Sequence, residues 1–123
     1  MDEKELSDRL YRFTLRIVKL VQALPRNMAA QEIGRQLLRA GTSVAANYEE
    51  ATVAFSKGDF IYKVNTSFKE AKETNLWLRL LRDSDIKKGE IIEDLIQEST
   101  EIKKILGKSV KTAKQSNSKN AQC

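Results

Sequence analysis

Apolar residues recur along the first two dozen positions in one stripe, with Leu6, Leu10, Phe13, Ile17, Leu20 and Leu24 standing 4, 3, 4, 3 and 4 apart. That spacing keeps one face of an α-helix apolar, and Pro25 ends the helix because it disfavours helical geometry at the residue before it. A second stripe follows Asn27, a candidate N-cap, and runs through Ile33, Leu37, Gly41, Val44, Tyr48, Ala51 and Phe55. It crosses AGTSVAAN without losing its period, although Gly41, Thr42 and Ser43 are poor helix formers. A mid-helix glycine costs ~1 kcal/mol relative to alanine. Close packing of a neighbouring helix against Gly41 and Ala45 would offset that cost, so the spacing predicts a continuous helix with a close crossing.

SKGDFIYK connects to a third helix. Two capping arrangements fit it: Gly58 in a left-handed conformation with Asp59 as the cap, or Ser56 and Asp59 as a capping box. The third helix carries Ile61, Val64, Phe68, Ala71, Leu78 and Leu81, with Asn75 where the stripe calls for an apolar side chain; Trp77 and Leu80 widen its face. After the turn DSDIKKG, Ile92, Leu95, Ser99, Ile102 and Leu106 recur at 3, 4, 3 and 4. The expected helices are 5–24, 28–55, 58–83 and 87–112, forming one domain over 1–113, with a disordered basic tail over 114–123. Their short connections predict an all-α, antiparallel up-down-up-down four-helix bundle.

Composition agrees with this. One proline and five glycines in 123 residues leave few helix breakers. The single cysteine, Cys123, allows no intramolecular disulfide. No apolar run approaches the ~20 residues of a membrane span, and the charged start MDEKELSDRL lacks the apolar core of a signal peptide. A cytoplasmic protein with no membrane partner is the expectation.

The net charge of +5 is unevenly placed. Residues 1–47 hold 8 basic and 5 acidic side chains, residues 48–101 hold 8 and 12, and residues 102–123 hold 6 and 0. Two basic groups stand out: Arg9, Arg12, Arg16 and Lys19 in the first helix, and Lys103, Lys104, Lys108, Lys111 and Lys114 in the fourth. Both are candidates for phosphate contact, against the plainer reading of solvated faces that keep the protein soluble.

Histidine is absent, which removes Ser-His-Asp and Cys-His catalysis and, with one cysteine, Cys/His zinc sites. No glycine-rich phosphate loop and no interleaved aromatic and basic motif occurs. A polar stripe of Arg35, Arg39, Ser43, Asn47 and Glu50 runs beside the apolar stripe of helix two, and Lys69, Glu73 and Trp77 stand four apart on helix three. Glu50 and Glu73 could form a carboxylate pair for a metal or for acid–base chemistry. The preferred reading is structural: Arg35 or Arg39 pairs with Glu50 or Glu73 across a helix or subunit interface. No cofactor, metal or catalytic residue is expected.

The run QLLRAGTSVAANYEEATVAFSKGDFIYK, followed by KEAKET and WLRLL, resembles a bacterial four-helix-bundle family. That family includes proteins encoded in intervening sequences of large-subunit ribosomal RNA genes, often labelled S23 ribosomal protein. Relatives include accessory proteins of diversity-generating retroelements. The match is specific from about Gln36 to Leu81; Leu76 departs from it, since an aromatic residue more often precedes the tryptophan. The family's characteristic positions fall on Arg39, Ser43, Asn47, Glu50, Lys69, Glu73, Trp77 and Leu78. The resemblance implies a cytoplasmic bundle assembled as a homopentameric ring. The leading expectation is thus a non-enzymatic homo-oligomer binding RNA or another nucleic acid electrostatically. The alternative is a protein-interaction scaffold, for example an accessory subunit of a reverse transcriptase.

Overall fold

The computed structural model describes the backbone through residue 122 and the side chains through residue 116. Four helices follow in order: α1 (Glu3–Gln22), α2 (Met28–Thr52), α3 (Lys57–Asp83) and α4 (Glu90–Gln122). Each packs against its two neighbours in a closed ring, α1 on α2, α2 on α3, α3 on α4, and α4 back on α1. The result is the antiparallel four-helix bundle that the apolar stripes predict. The α2–α3 contact is the most extensive and α1–α4 the slightest. No helix among the described residues is long and apolar enough to cross a membrane.

The helix starts are set locally. The Asp2 carboxylate accepts from the Glu5 N–H at 2.8 Å, Asn27 Oδ1 from the Ala30 N–H at 2.9 Å, and Ser56 Oγ from the Asp59 N–H at 3.1 Å. Each satisfies a donor that the first helical turn leaves unpaired. Of the two arrangements open for SKGDFIYK, the Ser56 cap forms, and Gly58 lies inside the first turn of α3 without a positive φ. At the far end of α3, Asp85 takes φ 64°, the Ile86 N–H donates to the Leu81 carbonyl and the Asp85 N–H to that of Arg82. This is a Schellman motif, and Ile86 closes it by packing on the core.

The core is where the stripes meet: Phe13 and Ile17 of α1, Leu37 and Val44 of α2, Leu78 of α3 and Leu95 of α4 are all buried. Gly41 is buried too, and a Cβ there would lie 3.0 Å from Ile17 Cγ2, so the crossing read from the sequence is the α1–α2 contact. Asn75 is a buried hub between α3 and α4. Its Nδ2 donates to Ser99 Oγ at 2.9 Å and Thr100 Oγ1 at 3.1 Å, and its Oδ1 accepts from Arg79 Nε at 2.8 Å. A polar group in a core position is tolerated when it is satisfied in this way, and here it fixes the register of two helices.

Three expectations change. Phe55, assigned to the apolar face of helix two, is fully exposed, because α2 ends at Thr52 and the chain turns before reaching it. Leu80 is exposed on the outer side of α3. α4 runs from Glu90 to Gln122 and takes in most of the span 114–123 expected as a basic tail; the side chains of 117–123 lie outside the described residues.

Candidate nucleic-acid interface

The polar stripe of α2 faces α3 along one seam. Arg39 pairs with Glu73 and reaches Glu70 at 3.5 Å, and the Trp77 indole N–H donates to the same Glu73 carboxylate at 3.2 Å. Lower on the seam, Ser67 Oγ donates to the Val44 carbonyl at 2.7 Å and Lys63 pairs with Glu50 at 3.1 Å. Asn47 donates to the Ser43 carbonyl of its own helix at 2.9 Å. Of the two arginines proposed for this role, Arg39 takes it; Arg35 pairs with Glu32 one turn away on α2. Glu50 lies level with Lys63, ten residues along α3 from Glu73, so the two carboxylates stand about 15 Å apart along the axis. They form no pair that could hold a metal or exchange a proton. Burial pushes the Glu70 carboxyl above its ordinary pKa of 4.5, Glu73 adds to the shift, and Arg39 opposes it. The seam joins α2 to α3.

The basic residues separate into distinct places. On α1, Arg9 does not stand with the ridge: its Nε and Nη2 donate to both oxygens of Glu98 at 2.8 and 2.7 Å, and Nη2 also reaches Glu101 at 2.7 Å. These carboxylates hold its pKa above the ordinary arginine value, and its guanidinium is committed to joining α1 and α4. Arg12, Arg16 and Lys19 remain exposed. Arg16 and Lys19 border a shallow cavity of about 290 Å³ together with Lys87 and Asp94. Because α1 and α4 are antiparallel and level at Arg9, Lys19 and Lys108 lie on opposite sides of that cluster, about 25 Å apart along the axis. The two groups proposed from the sequence therefore do not form one surface.

A continuous basic surface arises instead across α3 and α4. The Phe68 ring of α3 lies against Gly107 of α4, where a Cβ would come within 3.0 Å of Phe68 Cε1. Lys72 sits one turn beyond Phe68, with its Nζ 5.7 Å from the ring centroid. Lys103 sits one turn before Gly107 on the antiparallel partner, which brings it level with Lys72 on the same groove. Lys103, Gly107, Lys111 and Lys114 follow at 4, 4 and 3, and so share the flank of α4 that faces α3. Lys104, Lys108 and, on α3, Lys69 extend the surface outward. Among the described residues none of these seven lysines takes part in an ion pair. Lys69, grouped with the α2–α3 network on spacing, is exposed and belongs to this surface.

Lys72 was not among the candidates. It stands off the apolar stripe, and only the α3–α4 register fixed by Asn75 and Phe68 places it beside Lys103. The i, i+3 spacing of Lys69 and Lys72 is the one local sign that α3 carries part of a basic face.

Comparison with known proteins bears on the family and the fold. A family model for 23S rRNA-intervening sequence proteins matches residues 3–108. Among solved structures, a protein of unknown function of the S23 ribosomal protein family from Bacteroides thetaiotaomicron is 38% identical. The match covers 90% of this chain and 99% of that one, with a TM-score of 0.80. No protein with a curated description matches.

Proposed function

The chain belongs to the 23S rRNA-intervening sequence protein family, and on that premise we propose that it is a non-enzymatic cytoplasmic bundle that binds RNA through the lysine surface of α3 and α4. One observation carries the reading: seven lysines share a surface on which, among the described residues, none is paired with a carboxylate. Like charges held together repel one another, and a polyanion that replaces their mutual repulsion with attraction gives the arrangement a use. The ridges of α3 and α4 present ammonium groups on flexible stems and no donor–acceptor array that would read a base edge. Binding by phosphate contact follows, with little sequence preference. The homopentamer implied by the family resemblance would repeat this surface around a ring. Support for self-association comes from Tyr11 and Leu15, exposed four residues apart on the outer side of α1.

A titration against structured RNA at several salt concentrations tests the proposal. Affinity tighter than micromolar at low salt, falling steeply as salt rises, is expected; weaker binding, or affinity indifferent to salt, overturns it. Light scattering that finds a monomer at tens of micromolar would overturn the self-association. The alternative of a protein-interaction scaffold is favoured by the α2–α3 turn, where Val53 is 74% and Phe55 104% exposed. One protein co-purifying in fixed ratio without nucleic acid would select it.

A further inference from the structure

A second feature of the molecule borders the lysine surface and shares Lys108 with it. At the end of the bundle where α1 begins, α2 turns into α3 and α4 runs past, the helices leave a cavity of about 650 Å³. Its walls are apolar at Leu6, Phe60 and Ile105, and Lys57, Lys108 and Glu3 stand among the residues around it. That volume lies within the range of small-molecule sites.

Tyr48 lines the same cavity. The residue is 96% buried, with 4% of its surface exposed, and occupies a position of the α2 core stripe that phenylalanine would fill equally well. Its hydroxyl makes no hydrogen bond to another described residue and is not sealed from solvent, so it is free to donate to a guest in the cavity. The first residues of α1 bound this end of the bundle, and burial, with the charges of Glu3 and Asp2 added, raises the phenol above its ordinary value of 10.0. Tyr48 therefore stays neutral and able to donate at physiological pH. Lys57 donates to Ser116 Oγ at 2.7 Å, which leaves two of its three N–H groups for other acceptors. Lys57, Lys108 and the Met1 ammonium against Glu3 and Asp2 leave a surplus of one positive charge around the cavity.

We propose that this cavity is a binding site for a small amphipathic monoanion, a carboxylate carried on an apolar body. The body lies against Leu6, Phe60 and Ile105, and the carboxylate accepts from the Tyr48 hydroxyl and from Lys108. The apolar walls supply affinity, while the phenol and the ammonium orient the head group.

Octanoate is a suitable probe, with 1-octanol as its neutral counterpart and acetate as the head group alone. Amide NMR titration of the full chain is expected to give saturable shifts confined to the surroundings of Leu6, Tyr48, Phe60 and Ile105. Both control compounds should bind about tenfold more weakly or worse. Tyr48→Phe and Lys108→Met should each weaken octanoate several-fold, while Tyr48→Phe leaves the melting temperature unchanged. Absence of saturation up to about 10 mM octanoate, equal binding of octanoate and 1-octanol, or unchanged octanoate affinity in Tyr48→Phe would overturn the site. A lowered melting temperature in Tyr48→Phe would also overturn it, because the hydroxyl would then serve the fold.

Discussion

Glu70 is a carboxylate held where charge is unfavourable. Its side chain is 19% exposed, its neighbour Glu73 already takes the better half of Arg39, and its own contact with that arginine is 3.5 Å long. Desolvation therefore exceeds the attraction, and the folded-state pKa rises above 4.5. A carboxyl with a raised folded pKa binds its proton more tightly in the folded protein than in the unfolded chain. Its favourable contribution is complete below pH 4.5 and is lost as pH rises through the folded value. Glu70→Gln, neutral throughout, is thus expected to melt at a higher temperature than the parent at pH 7, with the difference shrinking as pH falls toward 4. Thermal melts at several pH values check this; an equal gain at pH 4 and pH 7 would mean that charge burial is not the cause. Arg9 is the contrasting case, since its guanidinium satisfies two carboxylates at once and its charge is favoured.

At the scale of the helix, glycines of one chemical type have opposite consequences. Gly41 lies under Ile17, which is fully buried and β-branched, so the 3.0 Å contact of an added Cβ cannot be relieved by a simple rotation. Overpacking a core costs about 1–3 kcal/mol, against the ~1 kcal/mol that alanine gains in helix propensity. Gly41→Ala is expected to destabilise by about 1 kcal/mol, measured by urea denaturation. Gly58 has nothing within 4 Å of its missing Cβ and no positive φ. Gly58→Ala should therefore stabilise by about 0.5 kcal/mol. If Gly41→Ala were the stabilising change, α1 and α2 would have slack that the contact distance denies. The crossing was legible in the sequence because the apolar period continued through Gly41, and a helix that keeps its period across a glycine needs a neighbour. Phe55 misled for the same reason. It keeps the period, but the Ser56 cap starts α3 one residue later, and helical spacing alone does not record where the chain turns.

For the molecule as a whole, periodicity specifies which faces are buried, whereas the function depends on which exposed faces become neighbours. Four apolar stripes with short connections leave little choice but an antiparallel bundle, so the architecture could be read directly. Neighbouring surfaces depend on register, and register is set by tertiary contacts such as Asn75 with Ser99 and Phe68 with Gly107. Hence the basic ridge of α1 and the lysines of α4 are both candidates for phosphate contact in the sequence and prove to lie on opposite sides of the Arg9 cluster, while only the register places Lys72 beside Lys103. The distinction can be measured. Each lysine that neutralises a phosphate contributes about 0.7–0.9 to the slope of log affinity against log salt. Replacing Lys72 and Lys103 together by alanine should lower the slope for RNA by about 1.4–1.8 units. Replacing Arg12 and Arg16 should leave it nearly unchanged, since both are exposed on α1, which packs on α2 and α4, and Arg16 borders the cavity beside the acidic start of α4. Equal losses from both pairs would point to a diffuse attraction set by net charge. Loss from the α1 pair alone would move the RNA to the other side of the bundle.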